Sequence, residues 1–261
     1  MLDGFYMRWY SLAIRLVECQ MSISERQKNI LMAIIDEFMN SADEVGSVAL
    51  MRKHNLGVSS ATIRSEMVKL MNEGLLEKSH ISSGRFPTDQ ALRLYVKEVA
   101  DKRRLPQVDE VEIRQGIFKV RFSQDQLIRD ILDMLVKKTN CAAFYLSDDD
   151  RRYYGVSSLM HFEELRNIEI LQRVLDVLED KDILRRIFSK YDTEKVSLLI
   201  GSETGIKDLE NCVIAFVKIK LLNNRTGHMG VIGSKRIDYS KVMSMLNLIK
   251  ESIENSLKGW N

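Results

Sequence analysis

Cysteine, histidine, proline and net charge are all scarce in this chain of 261 residues. Its three cysteines, Cys19, Cys141 and Cys212, are odd in number, far apart and without a CxxC pair. That excludes a disulfide framework and a cysteine-built zinc site, and it fits a reducing cytosol. The four histidines, His54, His80, His161 and His228, are scattered too widely to suggest a metal motif. A formal net charge of +2, from 39 basic and 37 acidic residues, excludes a polybasic coat but allows a local basic face. Every apolar run is broken by charge well short of the ~18 residues a membrane helix needs. The two prolines punctuate the chain: Pro87 precedes a helical pattern, and Pro106 lies in the polar stretch Lys102 to Glu110, which reads as a linker. No repeat or low-complexity tract is present. What remains, 45% hydrophobic and 29% charged side chains, is the composition of a protein with a buried core. At ~100–200 residues per domain, the length suggests two compact units.

Residues 1–20 form an extension. Phe5, Trp9, Leu12, Ala13 and Leu16 fall at helical spacing, while Asp3, Arg8, Arg15 and Glu18 break any secretory apolar core. Two readings stand: an extra amphipathic helix, or an over-extended start with Met21 as the initiator.

Residues 21–103 are read as one domain. Ser24 with Gln27 makes a capping box for a helix bearing Ile30, Leu31, Ile34, Ile35 and Phe38 on one face. Ser47 caps a short second helix to Lys53, and Asn55-Leu56-Gly57 makes a turn. Ser59 or Ser60 caps a third helix that ends at Gly74. Two extended runs, Leu75–Ser79 and Arg85–Phe86, flank His80-Ile81-Ser82-Ser83-Gly84, and Thr88 caps a fourth helix.

Three helices and a hairpin are the order of a winged helix-turn-helix, whose third helix enters the DNA major groove. In the third helix Ile63, Met67, Leu70 and Met71 make the expected buried stripe. Ala61, Thr62, Ser65 and Lys69 lie opposite, with Arg64 at the flank. Small side chains there allow close approach to bases. From Arg52 to Arg85 the basic residues Arg52, Lys53, Arg64, Lys69, Lys78 and Arg85 outnumber the acidic Glu66, Glu73 and Glu77. Such an edge suits phosphate contact. A protein-interaction module of the same architecture remains open on pattern alone.

Beyond the linker at 104–122, residues 123–261 read as an α+β domain. Ser123 with Gln126 caps an amphipathic helix stopped near Asn140. A strand at Cys141–Leu146, a turn at Asp148–Arg151 and a strand at Tyr153–Val156 follow. Helical patterns cover Glu164–Glu179 and Asp182–Lys190. Apolar β-runs lie at Val196–Ile200, Cys212–Lys220 and Gly227–Ile232, with Asn223-Asn224 as the last hairpin turn. A final helix carries Val242, Met245, Leu246, Ile249 and Ile253. Nothing here composes a catalytic set. Gly201-Ser202-Glu203-Thr204-Gly205 lacks the Lys-Ser/Thr of a P-loop. Gly227, Gly230 and Gly233 fall inside a hairpin, and Asp148-Asp149-Asp150 has no later ligand at EF-hand spacing. No enzyme, cofactor or metal is expected.

Several blocks together resemble one family. They are Glu44-Val45-Gly46-Ser47, Ser59-Ser60-Ala61-Thr62-Ile63-Arg64, Ser82-Ser83-Gly84-Arg85 with Pro87, and near the end Gly230-Val231-Ile232-Gly233 with Arg236, Asp238, Tyr239 and Ser240. In this order, over roughly residues 22–258, the chain resembles the heat-inducible transcription repressor HrcA. The resemblance implies a winged helix-turn-helix followed by a GAF-like α+β domain. It also implies a cytoplasmic homodimer on a CIRCE-type inverted repeat upstream of chaperone operons, and an activity dependent on the GroEL chaperonin. Carried over, Ser60, Thr62 and Arg64 serve the recognition helix, while His80, Ser82, Ser83 and Arg85 serve the wing. With Ser59, Ser65, Lys69 and Lys78 from the pattern above, these are the candidate DNA-binding residues. Ser65 departs from the family's Asn, so the operator differs at one base or is read more loosely.

The family inserts a helical dimerisation subdomain after the first strand of its second domain, and here that insertion is missing. Dimer contact is then expected on Glu164–Lys190 or on Met243 and Leu248 of the last helix. The alternative function is a winged-helix regulator of other genes, controlled by a small ligand in the second domain.

Overall fold

The capping box forms in the computed structural model, which describes residues 23–41, 44–78, 84–100, 105–191, 194–221 and 225–257. Ser24 N donates to Gln27 Oε1 at 2.8 Å and Gln27 N to Ser24 Oγ at 3.3 Å. Two orphan donors are thereby satisfied at the start of α1 (Glu25–Asn40). Of the stripe expected on α1, Ile30, Leu31, Ile34 and Ile35 are buried and Phe38 is half-buried. There follow α2 (Ser47–Lys53), a turn in which Gly57 takes φ +66°, and α3 (Ser60–Asn72). At the end of α3 the Gly74 N–H reaches the Met71 carbonyl at 3.0 Å and the Leu75 N–H reaches that of Leu70 at 2.9 Å. This double bond pattern needs a left-handed residue, and Gly74 supplies it at φ +72°.

β1 (Leu76–Glu77) and β2 (Phe86–Pro87) pair antiparallel, with Leu76 opposite Pro87. Val45 joins them through a bridge to Arg85, with N···O distances of 3.1 and 3.2 Å. Thr88 then caps α4 (Asp89–Ala100), as expected, by accepting from Ala91 N at 3.3 Å.

Contacts divide the chain after Ala91, within α4. A first unit takes in Asp43–Ala91 and the chain up to Phe38, and a second takes in Leu92–Asn261 with Met39–Ala42. The extension at 1–20 and the turn Asn223-Asn224 lie outside the described residues.

The stretch 104–122 is not an extended linker. It holds α5 (Gln107–Val120), whose Ile113 and Ile117 are buried. Then come α6 (Gln124–Thr139), β3 (Ala142–Ser147), β4 (Arg151–Tyr154), α7 (Ile168–Glu179), α8 (Lys181–Lys190), β5 (Ser197–Ile200), β6 (Cys212–Lys220), β7 (Thr226–Ser234) and α9 (Tyr239–Leu257). The five strands form one antiparallel sheet in the order β4-β3-β7-β6-β5. This confirms an α+β architecture.

Alternation along the strands sends side chains to two layers. Phe144, Ile214 and Phe216 join Val174, Val177, Leu184 and Phe188 of α7 and α8 in one core cluster. The opposite layer holds α6 against β3 and α9 against β6, with α5 packed on α6 and α9. Gly230 is required where two aromatic residues converge: a Cβ there would lie 2.1 Å from the Ala215 carbonyl oxygen and 2.8 Å from the Phe144 ring.

Three local expectations are corrected. Ser123 precedes α6 but its side chain makes no capping bond, and Gln126 donates to Asp130 at 2.5 Å. The pattern at Glu164–Glu179 is two elements, a 3-10 turn at Glu163–Leu165 and then α7, which Asn167 caps. Leu248 is buried and Met243 is half-buried, so the patch expected on the last helix does not exist. The unanticipated α5 packs on that helix.

Candidate nucleic-acid interface

Ser59 sets the start of α3. Its backbone is extended, at φ −69° and ψ 158°, and its Oγ accepts from the Thr62 N–H at 3.2 Å. The Thr62 hydroxyl lies 3.0 Å from the same oxygen. Ser59 therefore fixes both the first turn of the helix and the Thr62 side chain.

Along α3 the residues separate by face. Ile63, Met67 and Leu70 are buried as expected, but the fourth buried residue is Glu66, and Met71 is only half-buried. Glu66 tolerates this position because its carboxylate meets Lys69 at 3.2 Å and Arg26 at 4.0 Å. The outward face presents Ala61, Arg64, Ser65, Val68 and Lys69, with Ser60 and Thr62 half-buried beside them.

The cations of this edge are not equivalent. Lys53 and His54 are both drawn to Glu37 of α1. The hydrogen bond from Lys53, reinforced by His54 against the cost of burial, holds the Glu37 carboxyl below its ordinary range. Lys69 is shared with Glu66. Arg85 is half-buried and turns Nη1 back onto the Gly84 carbonyl at 2.9 Å. Arg52, Arg64 and Lys78 are exposed and form no ion pair among the described residues.

The foot of the hairpin explains two of the sequence blocks together. Glu44 and Val45 lie against Gly84 and Arg85: the Gly84 N–H donates to Glu44 Oε2 at 3.1 Å, and a Cβ on Gly84 would stand 2.2 Å from that of Glu44. Glu44-Val45 of the first block and Gly84-Arg85 of the second are thus two sides of one junction. His80, Ser82 and Ser83, the expected tip of the wing, lie outside the described residues. Ser60, Thr62, Arg64, Ser65 and Lys69 share α3 with Ser59 as its cap, and Lys78 and Arg85 directly follow β1 and precede β2.

The late block of the second unit is structural. Arg236 grips Glu164 with two parallel bonds, Nε to Oε1 at 2.9 Å and Nη2 to Oε2 at 2.8 Å, and the Ser234 hydroxyl adds a third. Burial opposes ionisation of Glu164, yet these donors outweigh it and hold the carboxyl below its ordinary value. Asp238 Oδ1 accepts from Lys241 N at 2.9 Å at the start of α9, and Tyr239 Oη donates to the Lys235 carbonyl at 2.6 Å.

Sequence reasoning did not find the roles of Glu164 and Arg93. Arg93 donates to Glu203 Oε1 at 3.1 Å and to the Leu198 carbonyl at 2.8 Å, tying α4 to the edge strand β5. Two acids of the Asp148–Asp150 run face arginines, Asp150 at 2.8 Å from Arg152 and Asp148 at 3.4 Å from Arg185. Among the described residues no three His, Cys, Asp or Glu side chains gather as a metal site. No helix there is long and apolar enough to cross a membrane.

Residues 57–243 match the family model described as the HrcA protein C terminal domain. The heat-inducible transcription repressor HrcA of Clostridium tetani is 24% identical over 344 residues, covering 92% of this chain and 97% of that one. The protein of the same name from Fusobacterium nucleatum is 24% identical over 327 residues, covering 89% and 93%. Both alignments are longer than this chain of 261 residues, so these relatives carry residues with no counterpart here. The tight β3–β4 hairpin stands where the resemblance expects an insertion. A crystal structure of a hypothetical protein shares the fold, with a TM-score of 0.73 at 18% identity over 90% of this chain and 100% of that one.

Proposed function

The chain belongs to the HrcA family, and on that footing we propose that it represses chaperone operons by occupying an inverted-repeat operator of the CIRCE type. It is a transcription regulator and not an enzyme. In this reading α1, α2 and α3 with the β1–β2 pair are a winged helix-turn-helix spanning residues 21–103. The later part is a GAF-like regulatory domain, and the protein acts in the cytoplasm as a homodimer.

The observation that carries the reading is the outward face of α3. Ala61 and Ser65 leave room for the helix to settle against base edges, and Thr62 is held ready by the Ser59 cap. Arg64 on the same helix, with Arg52 and Lys78 beside it in the unit, offers cations not committed to carboxylates. Phosphate contacts position such a domain, while short side chains in the groove read sequence. Lys69 and Arg85 complete the positive edge, and the wing residues His80, Ser82 and Ser83 address the flanking backbone. Serine at position 65 gives up the bidentate adenine contact of an Asn, so the base opposite it is read less strictly. Release from DNA follows the family's dependence on the GroEL chaperonin.

Fluorescence anisotropy with labelled duplexes tests this reading. The palindrome should bind ~10³-fold or more tightly than scrambled DNA of equal length at physiological salt. Equal affinities would overturn it.

A further inference from the structure

Helices α5 and α9 pack together but leave a groove of about 400 Å³ between them, a volume in the range of small-molecule sites. Arg114, Ile117 and Phe118 of α5, with Arg121 at its end, form one side and share one stripe of the helix by their spacing. Ser252, Asn255 and Ser256 of α9 form the other side. The chemistry is one-sided. Two guanidiniums, two hydroxyls and an amide line the groove, and no carboxylate is among its described lining residues. Ile117, 2% exposed, and the ring of Phe118 add an apolar strip.

Ser252 is the informative residue. It is only 8% exposed, and its Oγ is buried without a hydrogen-bond partner among the described residues. A helical serine ordinarily returns its hydroxyl to a carbonyl one turn back, as Ser256 does to that of Ile253 at 2.7 Å. Ser252 does not, and a buried hydroxyl left unpaired is destabilising until an acceptor or donor meets it. Arg114, exposed on the facing helix, makes no ion pair or hydrogen bond among the described residues. Arg121 is held in place. Its Nη1 donates to the Phe118 carbonyl, and its guanidinium lies 3.6 Å from the centre of the Phe118 ring and 4.2 Å from that of Phe122. This uses one N–H and leaves the others to a ligand. Exposed arginines alone would be an ordinary surface, but an unpartnered buried hydroxyl beside them is not.

We propose that this groove binds a small organic anion with an apolar body. The head, a carboxylate or phosphate, takes hydrogen bonds from the guanidiniums of Arg114 and Arg121 and from the Ser252 hydroxyl. The planar fork of arginine matches both heads. The apolar part of the ligand lies on Ile117 and the Phe118 ring. The site lies wholly within the second unit, so its test is independent of the operator reading.

Isothermal titration calorimetry of the full chain tests the site, with phenylacetate and phenyl phosphate as probes. At least one of the two should bind saturably at one site per chain, and the stronger of them identifies the head. Phenylacetamide, which lacks the charge, and inorganic phosphate, which lacks the ring, should each bind about tenfold more weakly or not at all. Arg114→Gln should weaken the anion about tenfold. Ser252→Ala should weaken it about threefold, yet without ligand should melt no lower than the wild type, because the hydroxyl it removes has no partner. Lys119→Gln removes an exposed cation of α5 outside the groove and should leave affinity unchanged. Absence of saturable binding by both anions would overturn the proposal. So would amide or inorganic phosphate binding as tightly as the probes, equal losses in Arg114→Gln and Lys119→Gln, or wild-type affinity in Ser252→Ala.

Discussion

Arg236→Met isolates a single buried ion pair in the second unit. The Arg236 and Glu164 side chains are 11% and 19% exposed, and the substitution keeps much of the volume while removing both parallel donors. The Glu164 carboxylate then keeps the Ser234 hydroxyl and its own backbone N–H as donors but no cation. Breaking one side of a buried pair costs ~3–5 kcal/mol, and the residual solvent access here sets the lower end. At ~2–4 °C per kcal/mol for a unit of this size, the melting temperature should fall by ~6–12 °C at neutral pH. The pH dependence has a defined sign. The donors hold the Glu164 carboxyl below its ordinary value, so its stabilisation is full above the unfolded carboxylate pKa. It is lost as pH falls through the lower folded value. The gap between wild type and variant should therefore close on acidification. Adding Glu164→Gln to Arg236→Met should restore much of the loss, because the uncompensated charge is gone. Differential scanning fluorimetry across pH measures all three. A variant that melts with the wild type at neutral pH, or a gap that does not change with pH, would refute the reasoning.

Other outcomes follow from the same geometry. Ser59→Ala removes the cap of α3 and should cost ~1 kcal/mol of stability, read by denaturant midpoint. It should also weaken operator binding, since Thr62 loses its anchor. Arg64→Ala should lower affinity for all duplexes and reduce the salt slope by about one unit, whereas Ser65→Ala should cost ~1–3 kcal/mol on the cognate site alone. If both variants behave alike in anisotropy titrations, the assignment of the DNA face fails. Burial pushes the Cys141 and Cys212 thiols up to about 12. Neither should react with maleimide at pH 8 until denaturant is added, and peptide mass spectrometry of the folded protein would reveal any labelling that contradicts this.

Much of the fold was legible because each signal was local. The Ser24–Gln27 box, the Ser59 cap, the Gly74 terminus and the Cys212–Lys220 run all lie where their residues direct. The helix α5 was missed for a physical reason. Its apolar residues occupy two faces, Ile113 and Ile117 inward against Val108, Val111 and Phe118 outward, so no single amphipathic stripe stands out, and Pro106 suggested a break. That omission also misplaced the exposed patch, because Leu248 is buried in a helix on which α5 packs. In the candidate interface, residue types and helix face were readable from spacing. The state of each cation was not, since it depends on distant partners: Lys53 on Glu37, and Arg26 and Lys69 on Glu66. The buried Glu66 was likewise hidden, because a charged residue at a core position is expected only once its partners are known.

Occupancy of the chromosome by the protein, mapped by immunoprecipitation before and after a temperature upshift, tests the central claim most directly. The account predicts enrichment at an inverted repeat upstream of chaperone operons at growth temperature, and loss of that enrichment on heating. Enrichment without an inverted repeat, or occupancy at chaperone operons unchanged by heat, would contradict it.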